Sequence, residues 1–289
     1  MAKSLAHVIG EQIGFLLEET IVDFISSTVS SDEYYVDYRH PRPARQGAKE
    51  VVMVDAQGNK HKLDVVVERG GSENQFGAPV AFIEVAWRRY VKHSKNKVQE
   101  ISGAILPLVN RYREYVPFQG AVLAGEFTNN SRRQLESEGF SVLYIPYDSI
   151  CSVFKDSVGI EIEWEEDSTE ASLSRLAQRL VRLTERERAS VKSLLLEREC
   201  TLFSTFVGEL NNVLSRRVIS VSVAPLHGRV TVHESVQMAV RFLQDYDECA
   251  MMSIPLVRYQ ISIQYNTGDS VALSFGDKMS AIRALNQFV

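Results

Sequence analysis

The run VAFIEVAWRR, Val80 to Arg89, reads as a buried strand with a single acid in it. Side chains alternate across a strand, so Phe82, Glu84 and Ala86 share one face. A carboxylate on such a face is costly unless something pairs with it. Beside Glu84, the small Ala86 leaves space. A second acid, Asp64, stands in a similar apolar run, KLDVVVE, residues 62–68. Two such acids on neighbouring strands can share a divalent cation, which removes the desolvation cost and offers the hard oxygen ligands suited to Mg²⁺.

Outward from these strands the pattern alternates. Residues 4–29, SLAHVIGEQIGFLLEETIVDFISSTV, have apolar positions at helical spacing. EYYVDYRHP reads as a strand ended by Pro41. EVVMVDAQGNKHKLDVVVE, residues 50–68, reads as two strands joined through Gln57-Gly58-Asn59. RGGSENQFGAP is a Gly-rich loop, taken as lying near the substrate groove. Past the opening strand, Ser94 suits the N-cap of a helix reaching about Tyr112, with Val98, Ile101, Ile105 and Leu108 as its stripe. FQGAVLAGEF, NNSRRQLESEG and FSVLYIPY then give strand, helix and strand. This order predicts an α/β fold with a mixed sheet. EIEWEEDSTE, residues 161–170, reads as an acidic linker between a core over 1–160 and an α+β unit over 171–289. That second unit is a long helical stretch, strands at RVISVSVAPL and VRYQISIQYNTGDSVALSF, and a closing helix.

The formal net charge of −5 does not by itself suggest a nucleic-acid binder, but its distribution is uneven. Arg88, Arg89, Lys92, Lys95, Lys97, Arg111 and Arg113 face only Glu100 in their segment. Arg39, Arg42, Arg45, Lys49, Lys60 and Lys62 face Glu50 and Asp55. Such segments are compatible with a phosphate-facing surface, and equally with a solvated charged face. The three cysteines are far apart and form no zinc pattern, and read as buried or neutral thiols in a reducing compartment. No apolar run reaches bilayer length and the N-terminus has no signal-peptide core, so a cytoplasmic protein without a membrane partner is expected. Phosphate-loop, dinucleotide and nucleophile-elbow motifs are missing from the sequence.

The element order over residues 8–150 resembles the PD-(D/E)xK nuclease superfamily, the restriction-endonuclease-like fold. Leu63-Asp64 stands for its Pro-Asp element and Glu84-Val85-Ala86 for its Glu-x-Lys element. The departure is Ala86, where the family usually has lysine. Some members take that lysine from the following helix. On that helix Lys97 lies one turn before Ile101 at the edge of the apolar stripe, whereas Lys95 points roughly 100° from the stripe's centre. Lys97 is therefore the expected donor, with Lys95 and Lys92 behind it. GFLLE, with Gly14 and Glu18, stands for a first-helix acid near the metal.

The resemblance implies a Mg²⁺-dependent DNA endonuclease, with Mn²⁺ as a substitute and restriction or antiviral defence as its setting. Asp64, Glu84 and Lys97 would be catalytic, and Asp64, Glu84 and Glu18 metal-facing. Arg88, Arg89, Lys92 and Lys95 would contact DNA. A homodimer would suit the cutting of two antiparallel strands. The alternative is a silent or partner-activated nuclease-fold subunit that binds nucleic acid or an ATPase or helicase partner.

Overall fold

The computed structural model describes residues 4–29, 33–164, 168–226, 228–249 and 256–288. The chain divides into two compact units, 1–211 and 212–289.

In the first unit, a five-stranded sheet has the order β1 (Tyr34–Tyr38), β4 (Val65–Arg69), β5 (Ala78–Arg88), β6 (Phe118–Gly125), β7 (Ser141–Pro146). β1, β4 and β5 pair antiparallel, and β5, β6 and β7 pair parallel. β6 is apolar and buried along almost its whole length, as a parallel strand covered on both faces must be. The fold is thus α/β with a mixed central sheet flanked by helices.

Helix α2 (Ser94–Arg111) covers the face carrying Phe82 and Ala86. Its stripe Val98, Ile101, Ile105 and Leu108 joins those two residues in one buried cluster. Ser94 is the first residue of this helix rather than its cap, because a 3₁₀ turn over Val91–His93 leads directly into it. The Ser94 hydroxyl instead meets that of Ser131 at 3.3 Å. Ser131 lies on α3 (Asn129–Ser137), capped by Thr128. Gly139, just past α3, has φ +89°, a conformation that favours glycine at a helix end. Helix α1 (Leu5–Val29) packs against β5 on the opposite face. Trp87, which alternates away from Ala86, lies there beside Gly10 and Gly14 of α1.

The sequence 50–68 departs from the single hairpin it suggests. β2 (Val51–Val54) and β3 (Lys60–Leu63) form a separate two-stranded ribbon, and the main sheet begins only at Val65. Asp64 sits in the break between them. The Gly-rich loop lies at the start of β5, about 20 Å of strand from Glu84, and is pinned away from it. The Arg42 guanidinium donates to Ser72 O at 2.6 Å, Gln75 O at 2.7 Å, Asp37 at 2.7 Å and Glu68 at 2.8 Å. Arg45 also binds Asp37. These two arginines of the basic segment are therefore internal ties, not a phosphate-facing surface.

Helices α4 (Tyr147–Val158), α5 (Glu170–Val181) and α6 (Glu185–Arg198) complete the first unit, and α7 (Cys200–Leu214) leads out of it. α5 packs on α1 and α6 on α4. The division therefore falls at 211/212 and not at the acidic stretch, because the helices of 170–198, with Ala177, Leu180, Val191 and Leu195 buried, pack on the core's own helices. Residues 165–167 of the expected linker lie outside the described residues.

The second unit is an antiparallel sheet, β11 (Ser270–Phe275), β10 (Tyr259–Tyr265), β8 (Val218–Pro225) and β9 (Thr231–His233), with helices α8 (Val236–Asp245) and α9 (Lys278–Leu285). The hairpin through Asn266–Asp269 closes with Tyr265 N–H donating to Asp269 O at 3.0 Å. α4, β9 and α8 were not anticipated from sequence. Among the described residues, no helix is long and apolar enough to cross a membrane.

Candidate active site

The site is a notch in the sheet. The ladder between β4 and β5 has Val65 opposite Ile83 as its last pair on this side, whereas β5 continues to Arg88 paired with β6 alone. Residues Glu84 to Arg88 thus have one open backbone edge. Asp64, where the chain leaves the ribbon for β4, covers part of it by accepting a hydrogen bond from Val85 N–H at 2.8 Å. The carbonyl of a strand residue points the same way as its own N–H, so the Val85 carbonyl faces the notch too. Two residues on, along the same edge, the Trp87 carbonyl accepts from the Arg88 guanidinium at 2.8 Å.

Glu84 is 7% exposed. Its Oε1 is buried with no hydrogen-bond partner among the described residues, and its Oε2 lies 3.9 Å from Lys97 Nζ. Lys97 also lies 3.6 Å from Glu100. The α2 stripe that crowds Ala86 puts Lys97, one turn before Ile101, over the neighbouring carboxylate. A long side chain at 86 would compete with that stripe for the same space.

The acids act on one another. Burial raises the Glu84 pKa, the charge of Asp64 raises it further, and Lys97 pulls it back. Burial likewise raises Asp64, against the Val85 N–H, Lys97 and Lys62. Glu18, on α1, is raised to about 7 by burial and then by Asp64, with Arg39 and Lys62 opposing. Two buried carboxyls on adjoining segments, Asp64 and Glu84, the latter with an orphan oxygen, fit a cation better than they fit a dry core. Among the described residues, no trio of His, Cys, Asp or Glu closes to metal-holding geometry. The donor set that fits is therefore Asp64, Glu84, the Val85 carbonyl and water, all hard oxygens. Glu18 contributes as a nearby charge.

The expected nucleic-acid contacts separate into two groups. Lys92 and Lys95 are exposed. Arg89 is turned inward, its guanidinium 3.7 Å from the Trp164 ring centroid and bonded to Tyr147 and the Trp164 carbonyl. Arg88 is half-buried, with Glu100 at 3.9 Å. Trp87 is core, stacked on Tyr147. Cys151 is buried, whereas Cys200 and Cys249 are exposed and unpaired. A groove of about 450 Å³ runs past Val85, Trp87, Arg88 and Trp164. A second, of about 620 Å³, runs past Tyr38, Arg39, Lys49 and Arg188. Glu18 and Phe15 line both. The sequence reading missed the Val85 backbone, and placed Arg39 and Lys62 in a basic segment without assigning them to the acids. The position of Lys62, two residues before Asp64, was the signal available for it.

No protein-family model matches the chain, and no curated protein does. It is similar to the crystal structure of a protein of unknown function, AF1548. The TM-score is 0.29 at 11% identity, over 67% of this chain and 99% of that one. A likeness that weak carries no functional argument.

Proposed function

We propose that the chain is a Mg²⁺-dependent DNA endonuclease with a PD-(D/E)xK-type site whose lysine comes from α2. The observation that carries this is the Lys97 ammonium, 3.9 Å from a buried carboxylate with an orphan oxygen. A divalent cation, when bound, would lower the pKa of an attacking water and polarise the scissile phosphate. Asp64 and Glu84 hold that charge in place, Asp64 being fixed by the Val85 N–H. Lys97 supplies a fixed positive charge where negative charge develops on the phosphate. The Val85 carbonyl and Glu18 complete a negative wall, and Arg88 stands at the groove beyond it.

Plasmid cleavage with Mg²⁺ or Mn²⁺ tests this. Wild type is expected to cut, and Asp64→Asn and Glu84→Gln to lose cutting. Lys97→Met is expected to lose about 10²–10³-fold. Full activity in either acid variant would refute the site. A second reading, a subunit that cuts only when a partner assembles, is favoured by the lack of a closed ligand trio among the described residues. In that case metal binding persists without cleavage by the isolated chain.

A further inference from the structure

We propose that Arg39 and Lys62 form a seat for a phosphodiester of the nucleic-acid backbone beside the acid centre, bridged in the free protein by Glu50. The seat rests on the nuclease reading above and names the side from which the substrate's backbone approaches.

Three separate segments meet here: Arg39 just after β1, Glu50 just before β2, and Lys62 on β3. Arg39 Nε lies 3.2 Å from one Glu50 oxygen and Lys62 Nζ 2.6 Å from the other. One carboxylate thus spans two cations, leaving one positive charge over. A phosphodiester also presents two oxygens that share a negative charge, so it can take the same place between them. The Arg39, Glu50 and Lys62 side chains are 46%, 38% and 60% exposed, which makes the bridge exchangeable with a ligand from solvent.

The seat adjoins the acids. Arg39 and Glu18 line the same groove, and Lys62 stands on β3 two residues before Asp64. Other cations nearby are engaged. Arg42 and Arg45 hold buried Asp37 and Glu68, and Arg188 and Lys192 hold Glu19 and Asp23. From Glu18 the larger groove continues past Arg39 to Lys49, a track for the backbone beyond the seat.

The test is fluorescence anisotropy of a labelled DNA duplex with the full chain in EDTA, over a salt series. The variants are Arg39→Gln/Lys62→Gln, Glu50→Gln and Lys92→Gln/Lys95→Gln, with melting temperatures in parallel. The seat predicts that the Arg39/Lys62 variant binds more weakly with a salt slope shallower by about one, as loss of one phosphate contact requires. Glu50→Gln is expected to bind more tightly than wild type. If both leave affinity unchanged and only lower the melting temperature, the trio is a structural tie and the proposal is overturned. Weakening confined to the Lys92/Lys95 variant also overturns the seat, while leaving the nuclease reading intact. A wild type that neither binds nor cuts overturns both.

Discussion

At the scale of the residue, Glu84 carries the account. Its carboxyl is buried, repelled by Asp64 and balanced by one lysine at ion-pair distance. Glu84→Gln is therefore expected to raise the melting temperature of the metal-free protein above neutral pH while abolishing cleavage, as removal of a strained functional group does. The pH dependence has a defined sign. Glu18 titrates at about 7 in the fold against an ordinary 4.5, so between those values the folded chain holds a proton that the unfolded chain has released. Its stabilising contribution is complete below the lower value and is lost as pH rises through the higher one. The raised Asp64 and Glu84 act in the same direction. Thermal melts in EDTA should show stability falling as pH climbs through this window. Mg²⁺ should restore it at the alkaline end, and Glu18→Gln should flatten the profile. The acid pair and Lys97 were legible because a lone acid in an apolar strand is conspicuous and helical spacing fixes which lysine faces the sheet. The Val85 carbonyl was not, since every residue has one and only the unpaired edge singles it out.

At the scale of the element, the site exists because β4 stops at Val65 while β5 runs on. The sequence KLDVVVE gives no break at Asp64: its apolar run continues past the acid, and the separate ribbon is set by pairing with β2, a tertiary choice. Two ties hold the ends of this arrangement. Arg42 is fully buried and satisfied by two acids and two carbonyls, so Arg42→Ala would leave Glu68 with a buried charge whose ion pair is gone, Asp37 keeping Arg45. A loss of about 3–5 kcal/mol in urea unfolding is expected. Gly125, with φ +97°, lies where an added Cβ would stand 2.1 Å from the Arg88 carbonyl. Gly125→Ala should displace the end of β5, lowering cleavage along with stability. Strand identities were readable because β5 and β6 are long apolar runs. Helix α8 was missed although Val236, Ala239, Val240 and Leu243 form its buried stripe. Its ten residues are short beside the hairpin that follows.

At the scale of the whole molecule, composition and element order gave the α/β class but not the boundary. An acidic stretch resembles a linker, yet the helices beyond it carry the apolar faces that α1 and α4 need covered. Asp64, Glu84, Lys97, Glu18, Arg39 and Lys62 all lie in the first unit. A chain truncated after Leu214 should therefore keep a Mg²⁺-dependent rise in melting temperature. The most direct measurement is calorimetric titration of Mn²⁺ into wild type, Asp64→Asn and Glu84→Gln, with plasmid cleavage followed on the same preparations. Wild type is expected to show saturable binding and cutting, with both lost in each variant. Absence of binding by wild type, or binding and cutting that survive either substitution, would contradict this site.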